Sequence, residues 1–251
     1  MTTTLLERTS TELPLPVARW LEVAWPHGVG RVRSIALSGP MRIRRRRMWL
    51  PGDWTMHFAL GKGYVSDLRV GLGPLTAVRG LDLFVDGTGM TRVGSETSTG
   101  PEIDQGAFLA LWAESILFPS TWASLPGLRW IPVDETKTRV ELPFRGGIET
   151  ATLHFDPKVT SFPVAFEADR HKGAGGPKIG WRAVYEDWQW PDGLAMPTRM
   201  VVIWDDEPGP WLDMRVETMT LEESTERHLE RARAALAETA QSGSLAAAGA
   251  R

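Results

Sequence analysis

The carboxylate of Glu114 is the first candidate for chemistry in this sequence. It lies in the segment TGPEIDQGAFLALWAESILFP (99–119), where apolar residues recur at three- and four-residue spacing. Glu114 shares that apolar face with Leu111 and Leu117, so its charged form must find a cation or hydrogen-bond donors, or its pKa must rise. Such a group is a candidate general acid or base. The alternative is that Glu114 pairs with an arginine on a facing strand and only anchors the helix.

Three further side chains are candidates for assisting Glu114. Asp104 is ten residues earlier, which at a rise of about 1.5 Å per residue places it about 15 Å away, too far for a carboxylate pair. His57 in WTMHFALG is either a proton carrier or a structural histidine, and the alternation of the strand does not fix its side. Arg170 ends the strand PVAFEADRH before a glycine-rich loop, and we expect it to border a cavity mouth and neutralise Glu114.

Tryptophan is unusually frequent, with twelve in the chain. Indole rings provide rigid apolar walls with one N–H donor, which suits an aromatic or hydrophobic small ligand. The alternative is ordinary core packing. The aromatic residues predicted to contact a ligand are Trp54, Trp112, Trp130, Trp181, Trp188, Trp190, Trp204 and Phe118.

Metal and cofactor sites are not predicted. The chain has no cysteine, and its five histidines show no ligand-like spacing. The glycine-rich GLGPLTAVRG does not match a dinucleotide fingerprint, and no phosphate-binding loop occurs. The arginine run 44–47 favours a solvated edge or turn, with binding of an anion or an acidic partner as the alternative.

Most of the chain has the pattern of an antiparallel sheet. From Val32 to Trp204, short runs of alternating apolar residues are separated by glycine, proline and aspartate, which predicts about ten strands. The segment 99–119 is predicted to be a helix with a capping box of Thr99 and Glu102, ended by Pro119. Shorter helix signals stand near both ends of the chain. The predicted fold class is α+β, mainly β: a curved half-barrel sheet around an internal helix, with N- and C-terminal helices.

Composition sets the remaining expectations. With 251 residues and 42% hydrophobic content, we expect a flexible N-terminus (1–13), one half-barrel domain (14–220), and a C-terminal helix and tail (221–251). The 28 basic and 31 acidic residues nearly balance, which disfavours general nucleic-acid binding. No apolar run has the length of a signal peptide or a membrane span, so a cytoplasmic location is expected. The C-terminal helix is a candidate for association into a homodimer.

Two segments carry a resemblance to a known family: SGPMRIRRRRMWLPGDWTMHFAL (38–60) and EIDQGAFLALWAESILFP (102–119). With LDLFVDGTGM, LRWIPVD and IWDD they resemble, over roughly residues 14–220, an uncharacterised bacterial family of unknown function. The family's helix pattern is matched by Asp104, Gln105, Gly106, Ala113, Glu114, Phe118 and Pro119. Leu111 and Trp112 depart from it, because an arginine-tyrosine-like pair is expected there. The resemblance implies a half-barrel similar to the lipoprotein carriers LolA and LolB, a fold that mostly holds apolar ligands on its concave face.

Two main functions are compatible with these features. The first is a cofactor-independent enzyme that performs a cyclisation, isomerisation or hydrolysis on a hydrophobic or aromatic molecule, with Glu114 as acid or base. The second is a non-catalytic carrier or binding protein for a lipid or an aromatic metabolite. Of these two, the sequence favours the enzyme over the carrier. A scaffold that binds partners through the arginine run and the C-terminal helix is a third alternative.

Overall fold

The protein is described by a computed structural model over residues 13–24, 32–72, 75–119, 121–122, 127–156, 162–190 and 193–249. The predicted flexible N-terminus therefore lies outside the described residues, apart from Leu13. The helices are α1 (Leu15–Ala24), α2 (Pro101–Glu114), which continues into a 3-10 turn (Ser115–Leu117), and α3 (Glu226–Gly249).

Fourteen strands are described, more than the ten or so predicted. In chain order they are β1 (Ser34–Arg45), β2 (Met48–Ala59), β3 (Gly63–Leu72), β4 (Leu75–Val85), β5 (Thr88–Val93), β6 (Glu96–Ser98), β7 (Arg129–Pro132), β8 (Lys137–Phe144), β9 (Gly147–Phe155), β10 (Pro163–His171), β11 (Lys178–Gln189), β12 (Met196–Trp204), β13 (Leu212–Arg215) and β14 (Thr218–Leu221).

These strands form one antiparallel sheet that curves around α2. The strand order is β6-β5-β4-β3-β2-β1-β13-β12-β11-β10-β9-β8-β7, with β14 also paired to β1. Helix α2 contacts β4 and β5 near one end of this order and β10 near the other. A single helix can touch strands so far apart only if the sheet bends around it. The predicted α+β fold, with a curved antiparallel sheet around an internal helix, is confirmed.

The start of α2 differs from the prediction. Gly100 is the N-cap residue, with a φ of 119°, and no side chain caps the helix, so the predicted capping box of Thr99 and Glu102 is wrong. A positive φ is easily adopted by glycine, and Pro101 is suited to the first helical turn because its missing N–H needs no partner there. The start of the helix is therefore set by the backbone conformations of Gly100 and Pro101 and not by a side-chain cap.

Alternation along the strands divides the apolar residues between two faces. On β3, Tyr64 belongs to the large inner core around α2, whereas Val65 belongs to a smaller outer cluster. Leu229 and Ala232 of α3 complete the outer cluster against Leu83 of β4. The C-terminal helix therefore covers β3 and β4 from the outside, and α2 occupies the inside of the curve.

Candidate functional site

Glu114 ends α2 on the inside of the sheet. Its side chain keeps some exposed surface, but its Oε2 is buried and has no hydrogen-bond partner in the described part of the chain. Burial, together with the negative charge of Asp82, raises the pKa of Glu114 to about 8, although the positive charge of Arg170 opposes the rise. The carboxyl group is therefore protonated over much of the neutral range, and the predicted neutralisation of Glu114 by Arg170 is incomplete.

Asp82 on β4 is the second acid of this site. The Tyr64 hydroxyl donates a hydrogen bond to Oδ2 of Asp82 (2.9 Å), and the Thr91 hydroxyl donates to Oδ1 (2.8 Å). Burial raises the pKa of Tyr64 well above its usual value, and the charges of Asp82 and Glu114 raise it further. Both hydroxyls therefore remain neutral donors that hold the Asp82 carboxylate toward the end of α2.

Arg170 reaches the same region from β10. Its guanidinium carbon lies 4.7 Å from the ring centroid of Trp181 and 5.7 Å from that of Trp204, distances typical of cation–π contacts. Its Nε is buried and has no hydrogen-bond partner among the described residues. Gly106 of α2 makes this approach available, because a Cβ at that position would lie 3.1 Å from Nε of Arg170.

Tyr185 of β11 binds the end of the helix. Its hydroxyl donates to the backbone oxygen of Ala113 (2.7 Å), which fixes the last turn of α2 and thereby Glu114. Burial raises the pKa of Tyr185 well above its usual value, and the nearby Glu114 charge adds to this effect. We define the acid–arginine cluster as Asp82, Glu114 and Arg170, with Tyr64 and Tyr185 as its neutral neighbours.

Each member of the acid–arginine cluster is partly exposed, whereas its aromatic neighbours are buried. The cluster therefore lies at the edge of the inner core. Three buried polar atoms without partners among the described residues belong to this region: Oε2 of Glu114, Nε of Arg170 and Nε1 of Trp181. Because buried polar groups are normally hydrogen-bonded, this set of unpaired atoms suits a bound polar group or water.

Most of the predicted ligand-contacting aromatic residues belong to the inner core. Trp54, Trp112, Trp181, Trp204 and Phe118 are buried, and Trp130 is half-buried. The indole of Trp54 is already paired, since its Nε1 donates to the backbone oxygen of Arg215 (3.0 Å). A cavity of about 10 Å³ lined by residues that include Trp54 and Leu117 accommodates no more than about one water molecule. These rings mainly pack against their neighbours.

Two of the predicted aromatic residues lie away from the acid–arginine cluster. Trp188 is half-buried and stacks on Phe162, with ring centroids 4.3 Å apart. Trp190 is 53% exposed. Neither ring has a described contact with Glu114 or Arg170.

Asp104 and His57 do not join Glu114, so the structure does not support their predicted assisting roles. Asp104 is buried at the start of α2, where Oδ2 pairs with Arg145 at 2.6 Å and Oδ1 accepts a hydrogen bond from the Gly89 amide at 2.6 Å. This carboxylate attaches the helix to the strand β5. His57 is on the outer face of β2, where its ring stacks on that of His228.

The sequence analysis missed Asp82, Tyr64 and Tyr185. Asp82 and Phe84 alternate with Leu81 and Leu83 in LDLFV, so this strand has an acid on the inner face and leucines on the outer face. That pattern was a usable signal, because an acid in phase with a buried phenylalanine has few ordinary explanations.

The arginine run forms a hairpin turn between β1 and β2, as predicted. Arg46 has a positive φ of 58°, and Arg44 donates to the backbone oxygen of Gly209 at 2.9 Å. Arg45, Arg46 and Arg47 are exposed.

Comparison with solved structures gives distant similarities. A LolA superfamily protein from Nitrosomonas europaea is 13% identical, with 88% of this chain and 94% of that chain covered and a TM-score of 0.43. A putative outer membrane lipoprotein-sorting protein domain from Vibrio parahaemolyticus is 11% identical over 80% of this chain and 91% of that chain (TM-score 0.39). A DUF1329 family protein from Desulfovibrio piger is 13% identical over 77% and 87% (TM-score 0.43). Such low scores transfer neither ligand nor activity.

The sequence itself gives a family assignment. No curated protein matches it significantly. No helix in the described ranges is long and apolar enough to cross a membrane. Residues 3–214 match DUF6544, described as a family of unknown function, and this span is well over half of the chain. The predicted membership of an uncharacterised family is confirmed: the chain belongs to the DUF6544 family.

Proposed function

We propose that this protein binds a hydrophobic or aromatic small molecule that carries an anionic group, at the acid–arginine cluster. The observation that carries the proposal is the pair of buried polar atoms without partners, Oε2 of Glu114 and Nε of Arg170. An unpaired buried polar group costs about 1–3 kcal/mol. A ligand that pairs with both atoms recovers this cost, so the arrangement favours binding.

The two polar atoms define what the ligand must offer. Arg170 is a cation with an unpaired donor, whereas Glu114 is protonated below a pH of about 8 and then has one O–H to donate. An anionic group such as a carboxylate or sulfonate accepts from both. The apolar part of the ligand then lies beside the guanidinium of Arg170, and the buried rings of Trp181 and Trp204 must shift to contact it.

The test uses two fluorescent probes that differ in charge. Anilinonaphthalene sulfonate carries an anion on an aromatic body, and phenylnaphthylamine has a similar body without charge. Arg170→Met is compared with Arg182→Met, a matched control on β11 whose arginine pairs with Glu167 (3.2 Å). Since a hydrogen bond to a charged group contributes about 1.5–3 kcal/mol, Arg170→Met should weaken sulfonate binding about ten- to a hundredfold.

The same variants define the outcome against the proposal. Arg182→Met should leave sulfonate affinity unchanged, and phenylnaphthylamine should bind both variants as it binds the wild-type protein. Equal sulfonate affinities for Arg170→Met and Arg182→Met, with both variants folded by circular dichroism, would show that the cluster is not the site.

A cofactor-independent enzyme is the second candidate function, and the pKa of Glu114 favours it. General acid–base catalysis is most effective when the pKa of the group is near the working pH, and a pKa of about 8 meets that condition. In this proposal Glu114 transfers a proton in a cyclisation, isomerisation or hydrolysis of the bound molecule. Molecules that copurify with wild-type protein and with Glu114→Gln are compared by mass spectrometry. Catalysis is supported if both proteins bind the molecule equally but only the wild-type protein converts it. If neither protein converts it, only the binding function remains.

A further inference from the structure

His57 meets Glu223 and His228, which are distant from it in sequence, on the outer face of the sheet. His57 projects from β2, and His228 lies in the first turn of α3, with their rings stacked at a centroid distance of 3.5 Å and an interplanar angle of 16°. Glu223 precedes α3 in the connection from β14. One ligand atom from each of the three residues lies within 4.8 Å of the others, and all three side chains are half-buried.

We propose that His57, Glu223 and His228 bind a divalent transition-metal ion, with Zn²⁺ as the ion that fits best. Two imidazole nitrogens and one carboxylate oxygen are the three-ligand set of many zinc sites, which leave a fourth position for water or a substrate. Zn–N bonds of about 2.05 Å place two tetrahedral ligands about 3.4 Å apart. Ligand atoms within 4.8 Å of one another must move closer to reach that spacing, and the two stacked rings must tilt so that both lone pairs point at one ion.

One of the proposed ligands has an unused nitrogen. The Nδ1 of His57 is buried and has no hydrogen-bond partner among the described residues. Asp67, the next acid nearby, is already paired with Arg231, so the donor set is limited to three residues. Stacking of two neutral rings is the ordinary alternative, and it predicts no preference for a metal ion.

A metal ion here would join α3 to the sheet. Leu229 and Ala232 already pack the helix against the outer cluster, and His228 directly precedes Leu229. An ion held by β2, the connection after β14 and the first turn of α3 would fix the start of that helix. We therefore expect Zn²⁺ to protect the full-length protein from thermal unfolding as well as to bind.

The test is a competition between the full-length protein and a chromophoric zinc chelator. Wild-type protein should take one equivalent of Zn²⁺, and His57→Gln, His228→Gln and Glu223→Gln should each bind it at least about tenfold more weakly, as expected when a ligand is lost. The control is His154→Gln, a half-buried histidine on β9 that lies next to Glu167. It should bind Zn²⁺ as the wild-type protein does.

Two further measurements make the result decisive. X-ray absorption of the zinc-loaded protein should show histidine scattering with first-shell distances of about 2.0–2.1 Å. Magnesium should not compete, because it prefers oxygen ligands. Glu223→Gln removes a ligand without removing the ring stack, so a folding defect in the histidine variants does not decide the outcome. Wild-type protein that takes no zinc, or zinc affinity that Glu223→Gln and both histidine variants leave unchanged, overturns the proposal.

Discussion

Glu114→Gln should abolish a loss of stability that the wild-type protein undergoes as the pH rises from about 4.5 to about 8. The pKa of Glu114 rises from 4.5 to about 8 in the folded protein, mainly through burial. Between these two values the unfolded chain has lost a proton that the folded chain keeps, so unfolding releases a proton. The free energy of unfolding must then fall as the pH rises from about 5 to about 8.

The magnitude follows from the two pKa values. A pKa difference corresponds to about 1.4 kcal/mol per pH unit, so a rise from 4.5 to about 8 amounts to about 5 kcal/mol. Because the side chain keeps some exposed surface, its solvation reduces this cost, and we expect about 2–5 kcal/mol. Glutamine is neutral at every pH, so the stability of Glu114→Gln relative to wild type should rise between pH 5 and pH 9 by most of that amount.

Urea unfolding of both proteins at pH 5, 6, 7, 8 and 9 provides the measurement. Glu226→Gln is the control with the opposite sign, because hydrogen bonds from Lys62 and Arg233 hold the pKa of Glu226 below its usual value. That variant should lose stability relative to wild type once the pH rises above the usual glutamate pKa. A constant difference between Glu114→Gln and wild type from pH 5 to pH 9 would refute the burial of an uncompensated acid.

Three other substitutions test the packing that positions the site. Gly89→Ala should lower the free energy of unfolding, measured by urea denaturation, by about 1–3 kcal/mol, because its Cβ would lie 2.8 Å from that of Ala107 in α2. An unchanged free energy of unfolding would show that the helix can shift. Leu83→Ala should cost about 2–5 kcal/mol by opening a cavity under α3, and a smaller loss by calorimetry would mean that α3 collapses onto the sheet. Burial alone would raise the pKa of Asp213, but hydrogen bonds from Arg199 and a second arginine hold it below the usual value. Asp213→Asn should therefore be less stable than wild type at pH 7. The difference in stability should disappear as the pH falls below 3.8 and through the lowered pKa of Asp213. A difference that persists at low pH would contradict this prediction.

Local signals were sufficient for the internal helix and for the general type of sheet. The periodicity of 99–119 predicted α2 and the partly buried position of Glu114, because both depend on neighbours three and four residues away. The helix start was misjudged because Thr99 and Glu102 form a capping pattern, whereas Gly100 adopts a φ that the pattern does not require.

The strand boundaries depend on which strands pair in the folded sheet, and the alternation of apolar and polar residues along one segment contains no information about that pairing. Glycine and proline usually separate strands, yet β1 continues through Gly39 and Pro40 while its partner on one side changes from β14 to β13. Proline fits at that change because it has no N–H to donate. A Cβ at Gly39 would lie 2.0 Å from the backbone oxygen of Arg215, so glycine is required where the β13–β14 connection crosses.

The hairpin between β4 and β5 has a clear signal in the sequence. Asp86 and Gly87 have positive φ angles of 51° and 83°, as expected for an Asp-Gly turn between two strands. The encounter of His57 with His228, by contrast, had no local signal, because it depends on α3 folding back over β2.

The measurement that tests the proposed binding site most directly is an NMR titration of the Glu114 carboxyl carbon, assigned by comparison with Glu114→Gln. The free protein should give a titration midpoint near 8. Saturation with anilinonaphthalene sulfonate should raise that midpoint, because the anion neutralises the Arg170 charge that favours ionised Glu114. A midpoint near 4.5 that the probe leaves unchanged would contradict both the buried acid and the binding site.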